Sequence, residues 1–144
     1  MAPKHKWELA DMLRFALRYD GPIALRYPRG TAYDDGEEYR APVVYGKSEM
    51  IEEEREIALL SVGHMYEEAV CVREALKQKG KSCTLVNARF VKPLDTDMIE
   101  ALSVNHRLLV TIEENVQTGG FGEHVVEYLS LIHISEPTRL ALIS

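Results

Sequence analysis

From residue 57 to residue 129 the chain alternates short, continuously apolar runs with longer amphipathic ones, and few architectures accommodate that alternation. The runs IALLSVG (57–63), SCTLVNARFV (82–91) and RLLVTIEEN (107–115) are apolar on successive positions, as strands covered on both faces are. Between and after them lie HMYEEAVCVREALKQKG (64–80), PLDTDMIEALSVN (93–105) and VQTGGFGEHVVEYLSL (116–131), which read as helices. In the first, Met65, Ala69, Val72 and Leu76 form the expected buried stripe and Gly80 the C-terminal stop. In the second, Asp95 is the expected N-cap, with Asp97 favourable in the first turn. Short connections between alternating elements predict an α/β fold, a mostly parallel sheet covered by helices, and right-handed crossovers make it a doubly wound three-layer domain. VVYGKSEMI (43–51) is expected as a further strand and EEERE (52–56) as a charged, hairpin-like turn.

Upstream the pattern differs. Trp7, Leu9, Ala10, Leu13, Phe15, Ala16 and Leu17 mostly share one side of a helix over 7–19, which Asp20-Gly21-Pro22 ends. IALRY (23–27) then reads as a short strand stopped by Pro28. With no partner strand before it, this unit is expected to be the tail of a domain. The polar stretch TAYDDGEEYRA (31–41) is the expected linker.

A chain of 144 residues with a net charge of -6 lacks the basic face that a nucleic acid or anionic membrane demands, so any anion it binds must be held locally. Cys71 and Cys83 form neither a CxxC pair nor a Cys/His cluster, which argues against a metal site or disulfide scaffold and for a reducing compartment. No apolar run reaches the roughly 20 residues of a membrane span, and MAPKHKWELADML lacks the apolar centre of a secretory signal. The expected location is cytoplasmic.

Five positions carry chemistry. Arg29, after a strand and between Pro28 and Gly30, reads either as an ion-pair residue or as an anion contact, since ligands of open α/β sheets sit beyond the carboxyl ends of strands. Arg26, inside the strand, points away from that mouth and reads as structural. TGGFGEH (118–124) departs from GxGxxG and lacks the P-loop Lys-Ser/Thr, so it reads as a close-packing turn before a helix. Glu113 and Glu114 are adjacent in a strand and face opposite ways, which suits cap or interface roles better than a shared proton. His64 opens a helix with no nucleophile or orienting carboxylate identifiable beside it. No complete catalytic set emerges from spacing.

The segments MAPKHKWELADML, DGPIALRYPRG, GKSEM, LLSVGHM, VNARFVKPLD and LLVTIEENVQTGGFGEHVVEYL are collinear and together resemble the 1-deoxy-D-xylulose-5-phosphate synthases, transketolase-like thiamine-diphosphate enzymes. The resemblance implies that residues 1–35 end a central pyrimidine-binding domain, contributing its last helix and strand. Residues 36–41 would be a linker and 42–129 a truncated transketolase C-terminal domain. It implies that Arg29 contacts the phosphate of glyceraldehyde 3-phosphate, the acceptor with which pyruvate is condensed, with loss of carbon dioxide, in making isoprenoid, thiamine and pyridoxal precursors. It further implies thiamine diphosphate and Mg2+ as cofactors and a homodimer as the parent's assembly. Neither the GDG-type motif that holds the metal and diphosphate nor the glutamate that activates the cofactor occurs here, so no cofactor, metal or catalytic residue is assigned and the chain alone is expected to be inactive. SLIHISEPTRLALIS (130–144) resembles translated vector read-through, and no function is assigned to His133, Glu136 or Arg139. Exposed apolar surface and a poorly held helix at Trp7 are expected where the rest of the central domain would pack. Other readings are a different thiamine-diphosphate enzyme, such as transketolase or a 2-oxo-acid dehydrogenase β-subunit, and a non-catalytic α/β module that binds a partner.

Overall fold

The computed structural model describes residues 1–30, 40–116, 118–132 and 139–143. Helix α1 (Lys6–Ala16) is followed by β1 (Glu49–Glu52), β2 (Ile57–Ser61), a 3-10 turn (Gly63–Met65), α2 (Tyr66–Gln78) and β3 (Cys83–Asn87). Then come α3 (Thr96–Asn105), β4 (Leu108–Ile112), α4 (Phe121–Leu131) and β5 (Arg139–Ile143). The five strands lie in the order β1-β3-β2-β4-β5. Strand β1 runs antiparallel to β3 and the remaining pairs are parallel, with Leu59 opposite Leu85 on one side and Val110 on the other.

The three expected layers form because successive residues of each strand face opposite sides. Ala58, Leu60, Val86 and Leu109 pack against Ile99, Leu102, Phe121 and Val125 of α3 and α4. Leu59, Leu85, Val110 and Ile112 pack on the opposite side against Tyr66 and Ala69 of α2. Gly80, at φ 72°, ends α2 as expected: its N–H reaches the Lys77 carbonyl at 2.9 Å and that of Lys81 the Leu76 carbonyl at 3.0 Å. Asp95 caps α3, accepting from the Met98 N–H at 3.4 Å.

The structure corrects four expectations of the fold. In α2, Val72 is exposed and Arg73 is buried in its stead. Its guanidinium bonds the Cys83 carbonyl (3.1 Å), Glu54 (3.0 Å) and Glu52, so ion pairing decided which residue faced inward. Residues 52–56 do not close a hairpin, because β1 and β2 both pair with β3, which lies between them. Among the described residues IALRY belongs to no ladder and its backbone pairs with Met1, Met1 N donating to the Ala24 carbonyl (2.7 Å) and Arg26 N to the Met1 carbonyl (2.9 Å).

The fourth correction concerns α1, whose first half is firmly held. Trp7, Glu8 and Met12 are buried, a stripe different from the apolar one that periodicity favours. Leu13 and Leu17, at 49% and 88% exposure, face solvent. Uncovered apolar surface is therefore present, but on the second half of the helix. Within 130–144, Arg139–Ile143 adds β5 to the open edge of β4, while His133 and Glu136 lie outside the described residues.

Burial pushes the Cys83 thiol up to about 11, whereas Cys71 is exposed. An aromatic disulfide reagent at pH 8 is expected to modify one thiol in the native chain and the second only after denaturation. Two equal fast phases would contradict the burial of Cys83.

Candidate functional site

The parallel strands diverge in their crossovers between β2 and β4: β2 leads through α2 to one side and β4 through α4 to the other. Ligands of doubly wound sheets bind outside the carboxyl ends at such a point. Here the mouth is formed by Val62-Gly63-His64 after β2 and by Glu113-Glu114 after β4. Residues 26–28 lie across it and enclose a small pocket of about 50 Å3 with Ala2, His64 and Glu114. Gly63 permits this approach. It sits at φ 60°, and a Cβ there would lie 3.2 Å from the Ala2 Cβ.

The candidate residues take different places around the mouth. Arg26, expected to point away, instead turns into the mouth because the Glu114 carbonyl there accepts from its Nη2; the contact is a structural one. His64 Nε2 is 3.4 Å from Glu114 Oε2, with both side chains substantially exposed, a geometry that contributes little. Glu113 turns inward and is buried, whereas Glu114 turns outward. The Glu113 oxygens accept from the N–H groups of Phe121 (2.9 Å) and Gly122 (2.8 Å) at the start of α4. A Cβ on Gly120 would lie 2.6 Å from the Val116 carbonyl oxygen and 2.7 Å from Glu113 Oε1. The glycines thus allow a protein carboxylate to occupy the anion site of this helix.

Arg29 follows Pro28 on the rim, exposed, and Gly30 after it takes φ 133°. Among the described residues it makes no ion pair, while Arg26 three positions earlier is committed. A free guanidinium at that position offers a planar, always charged donor set to an incoming anion.

A cluster absent from the sequence reading gathers at the carboxyl end of β3, the strand next to β2. Arg89 Nε donates to Glu8 Oε1 (2.8 Å), and its Nη2 lies 3.0 Å from Glu49 Oε1. Lys4 Nζ bonds Glu49 Oε2, and the Lys4 N–H donates to Glu8 Oε2 (2.7 Å). Asn87 Nδ2 bridges the two carboxylates, at 2.9 Å from Glu8 Oε1 and 3.2 Å from Glu49 Oε2. All five residues are buried. Desolvation lowers the Lys4 ammonium from its usual value, opposed by its hydrogen bond to Glu49. The signal available in sequence is a charge inside an apolar run, Arg89 in SCTLVNARFV, but partners up to 81 residues apart cannot be matched without the fold.

The larger cleft, about 490 Å3 between α1 and residues 40–43, is lined by Arg14, Arg18, Arg40, Phe15, Tyr19 and Asp11 among others. Asp11 is held below the usual carboxylate range, first by its hydrogen bonds to Arg40 (2.7 and 3.0 Å). None of its lining comes from the carboxyl ends of β2 or β4, so size does not make it the better candidate.

The described residues do not fit thiamine diphosphate with Mg2+. The glycine-turn helix terminus that would receive a diphosphate is filled by Glu113, and no group of three or more His, Cys, Asp or Glu is placed to hold a metal ion. Nor is any helix among them long and apolar enough to cross a membrane.

Similarity to known proteins agrees with this architecture. Over 129 residues the chain is 51% identical to the 1-deoxy-D-xylulose-5-phosphate synthase of Lachnoclostridium phytofermentans, covering 90% of this chain and 21% of that protein. It is 43% identical over 140 residues to the synthase of Thermosynechococcus vestitus, covering 95% and 22%. The chain therefore spans about a fifth of the length of these curated relatives. A solved split-gene transketolase, described as an inactive β4 tetramer, superposes with a TM-score of 0.85 at 20% identity, over 98% of this chain and 46% of that one, and shares the fold. Residues 46–142 match the family model of the transketolase C-terminal domain, and with the mixed five-stranded sheet and its β2/β4 mouth this establishes that the chain belongs to the transketolase C-terminal domain family.

Proposed function

We propose that the chain is the C-terminal part of a 1-deoxy-D-xylulose-5-phosphate synthase, and that Arg29 binds the phosphate of glyceraldehyde 3-phosphate. The observation that carries the site is the contrast between the two arginines of RYPRG: Arg26 is tied to Glu114, while the exposed Arg29 guanidinium stands at the rim of the sheet's carboxyl end. The kinship of the long relatives supports the reaction. In it pyruvate loses carbon dioxide, and the remaining two-carbon unit joins the aldehyde carbon of glyceraldehyde 3-phosphate to give 1-deoxy-D-xylulose 5-phosphate. Thiamine diphosphate, assisted by Mg2+, is the electron sink of such chemistry, and the described residues offer it no site. What this chain contributes is orientation: a fixed cation at the phosphate end holds the aldehyde for attack. The parent is a cytoplasmic homodimer on this reading, and the 144-residue chain alone forms no product from pyruvate and glyceraldehyde 3-phosphate.

In the long synthase bearing this sequence, Arg29→Ala is expected to raise the KM for glyceraldehyde 3-phosphate about 10- to 100-fold with kcat little changed, as loss of a charged hydrogen bond to a bound group requires. Arg29→Lys falls between, keeping the charge without the planar fork. An unchanged KM in Arg29→Ala would remove Arg29 from the site.

A further inference from the structure

The buried charges at the carboxyl end of β3 are accounted for by neither the core nor the phosphate contact. We propose that the cluster of Glu8, Arg89, Glu49, Lys4 and Asn87 is a latch that seats the Arg26–Arg29 segment over the β2/β4 mouth, making Glu8 and Arg89 positioning residues for the contact at Arg29. The inference rests on the reading of Arg29 given above.

The connection is continuous in hydrogen bonds. The Arg89 carbonyl accepts from Ala2 N at 2.8 Å while its guanidinium holds Glu8, so one residue grips the N-terminal stretch through both main chain and side chain. Met1, adjacent to Ala2, carries residues 24 and 26 through its two backbone bonds. Arg26 then bonds Glu114 at the end of β4, and Arg29 stands three residues on. The same guanidinium reaches beyond residues 31–39, donating to the carbonyls of Ala41 (2.8 Å) and Pro42 (3.0 Å). Arg89 therefore fixes both the N-terminal stretch and the end of the expected linker to the end of β3.

Two further features favour positioning over packing. Arg89 takes φ 50°, a left-handed conformation that a non-glycine residue sustains only where its surroundings over-determine it. The cluster also contains two carboxylates and two cations, all buried. Apolar side chains would fill such a space with less desolvation, whereas paired charges accept one register and reject neighbouring ones.

The test is amide hydrogen exchange, read residue by residue by NMR, on the 144-residue chain and its Glu8→Gln and Arg89→Lys variants. The Arg26 amide, bonded to Met1, is expected to accelerate about 10-fold or more beyond the amides of Leu59 and Val110 in β2 and β4, whose acceleration reports only the loss of global stability. Unchanged exchange at Arg26 would overturn the latch. So would equal acceleration at all three amides, which marks a global stabiliser. Should Arg89→Lys not fold, Glu8→Gln decides alone. In the long synthase, Arg89→Lys is expected to raise the KM for glyceraldehyde 3-phosphate several-fold with kcat retained, and an unmoved KM beside faster Arg26 exchange would refute positioning. Arg29→Ala separates the two ideas: if it leaves the KM unchanged while Glu8→Gln still frees the Arg26 amide, the phosphate reading fails and the coupling stands.

Discussion

Glu8→Ala is expected to lower the stability of the chain by about 3–5 kcal/mol, the cost of removing one partner from a buried ion pair. Glu8 is fully buried, and its oxygens accept from Arg89 Nε (2.8 Å), Asn87 Nδ2 (2.9 Å) and the Lys4 N–H (2.7 Å). Truncation to alanine takes the carboxylate acceptor from Arg89 Nε and the Lys4 N–H, leaves Asn87 Nδ2 with Glu49 only, and gives the buried cluster a net positive charge. Water cannot compensate without opening the docking of α1. A small domain is stable by only about 5–15 kcal/mol, so a large part of the margin disappears. Urea unfolding followed at once by Trp7 fluorescence and by far-ultraviolet circular dichroism measures it, because Trp7 is the single tryptophan and lies in the docked half of α1. A loss under about 1 kcal/mol would show that the cluster is solvated in solution. The informative partner is the double replacement Glu8→Leu with Arg89→Met, expected to recover much of the loss because it removes both charges.

The second large effect is expected at Glu113. Its replacement by alanine strips the α4 N-terminus of an acceptor for two buried N–H groups, those of Phe121 and Gly122. Each unsatisfied donor costs about 1–3 kcal/mol, and the favourable field of a carboxylate at a helix start is lost as well. A total of about 2–6 kcal/mol follows, with a melting temperature lower by about 3–4 °C per kcal/mol. Glu113→Gln keeps one good acceptor and should fall between. If alanine were neutral, a water molecule or a bound anion must take the place of the carboxylate. Added phosphate or pyrophosphate that selectively stabilises the alanine variant would identify the vacated position as an anion site.

Several features are legible from local pattern. The apolar runs at 57–63, 82–91 and 107–115 contain β2, β3 and β4, because a strand buried on both faces must be apolar at successive positions. Gly80 and Asp95 end and begin helices because the backbone groups they serve lie within five residues. The opposite orientations of Glu113 and Glu114 follow from the strand's period of two. In the two helices where local pattern misleads, a distant charge is responsible. Val72 looks like the inward residue of α2, but Arg73 turns in because Glu52 and Glu54 wait near the start of β2. Leu13 and Leu17 look like the buried stripe of α1, but Glu8 and Met12 face the domain because Arg89 and Lys4 are there.

By itself, then, the order of residues determined the α/β class, the parallel strands, the helix caps and the candidacy of Arg29, all of which depend on neighbours a few positions apart. Tertiary structure alone decided which arginine of RYPRG is tied down, how α1 is held, and that the glycine turn shelters Glu113 instead of a ligand. The first two turn on groups 88 and 81 residues apart in the chain, the third on groups eight and nine apart that a loop brings together. For the buried Glu8 and Glu113 the pairing is enforced by the cost of burying a charge alone, a term that has no local signature.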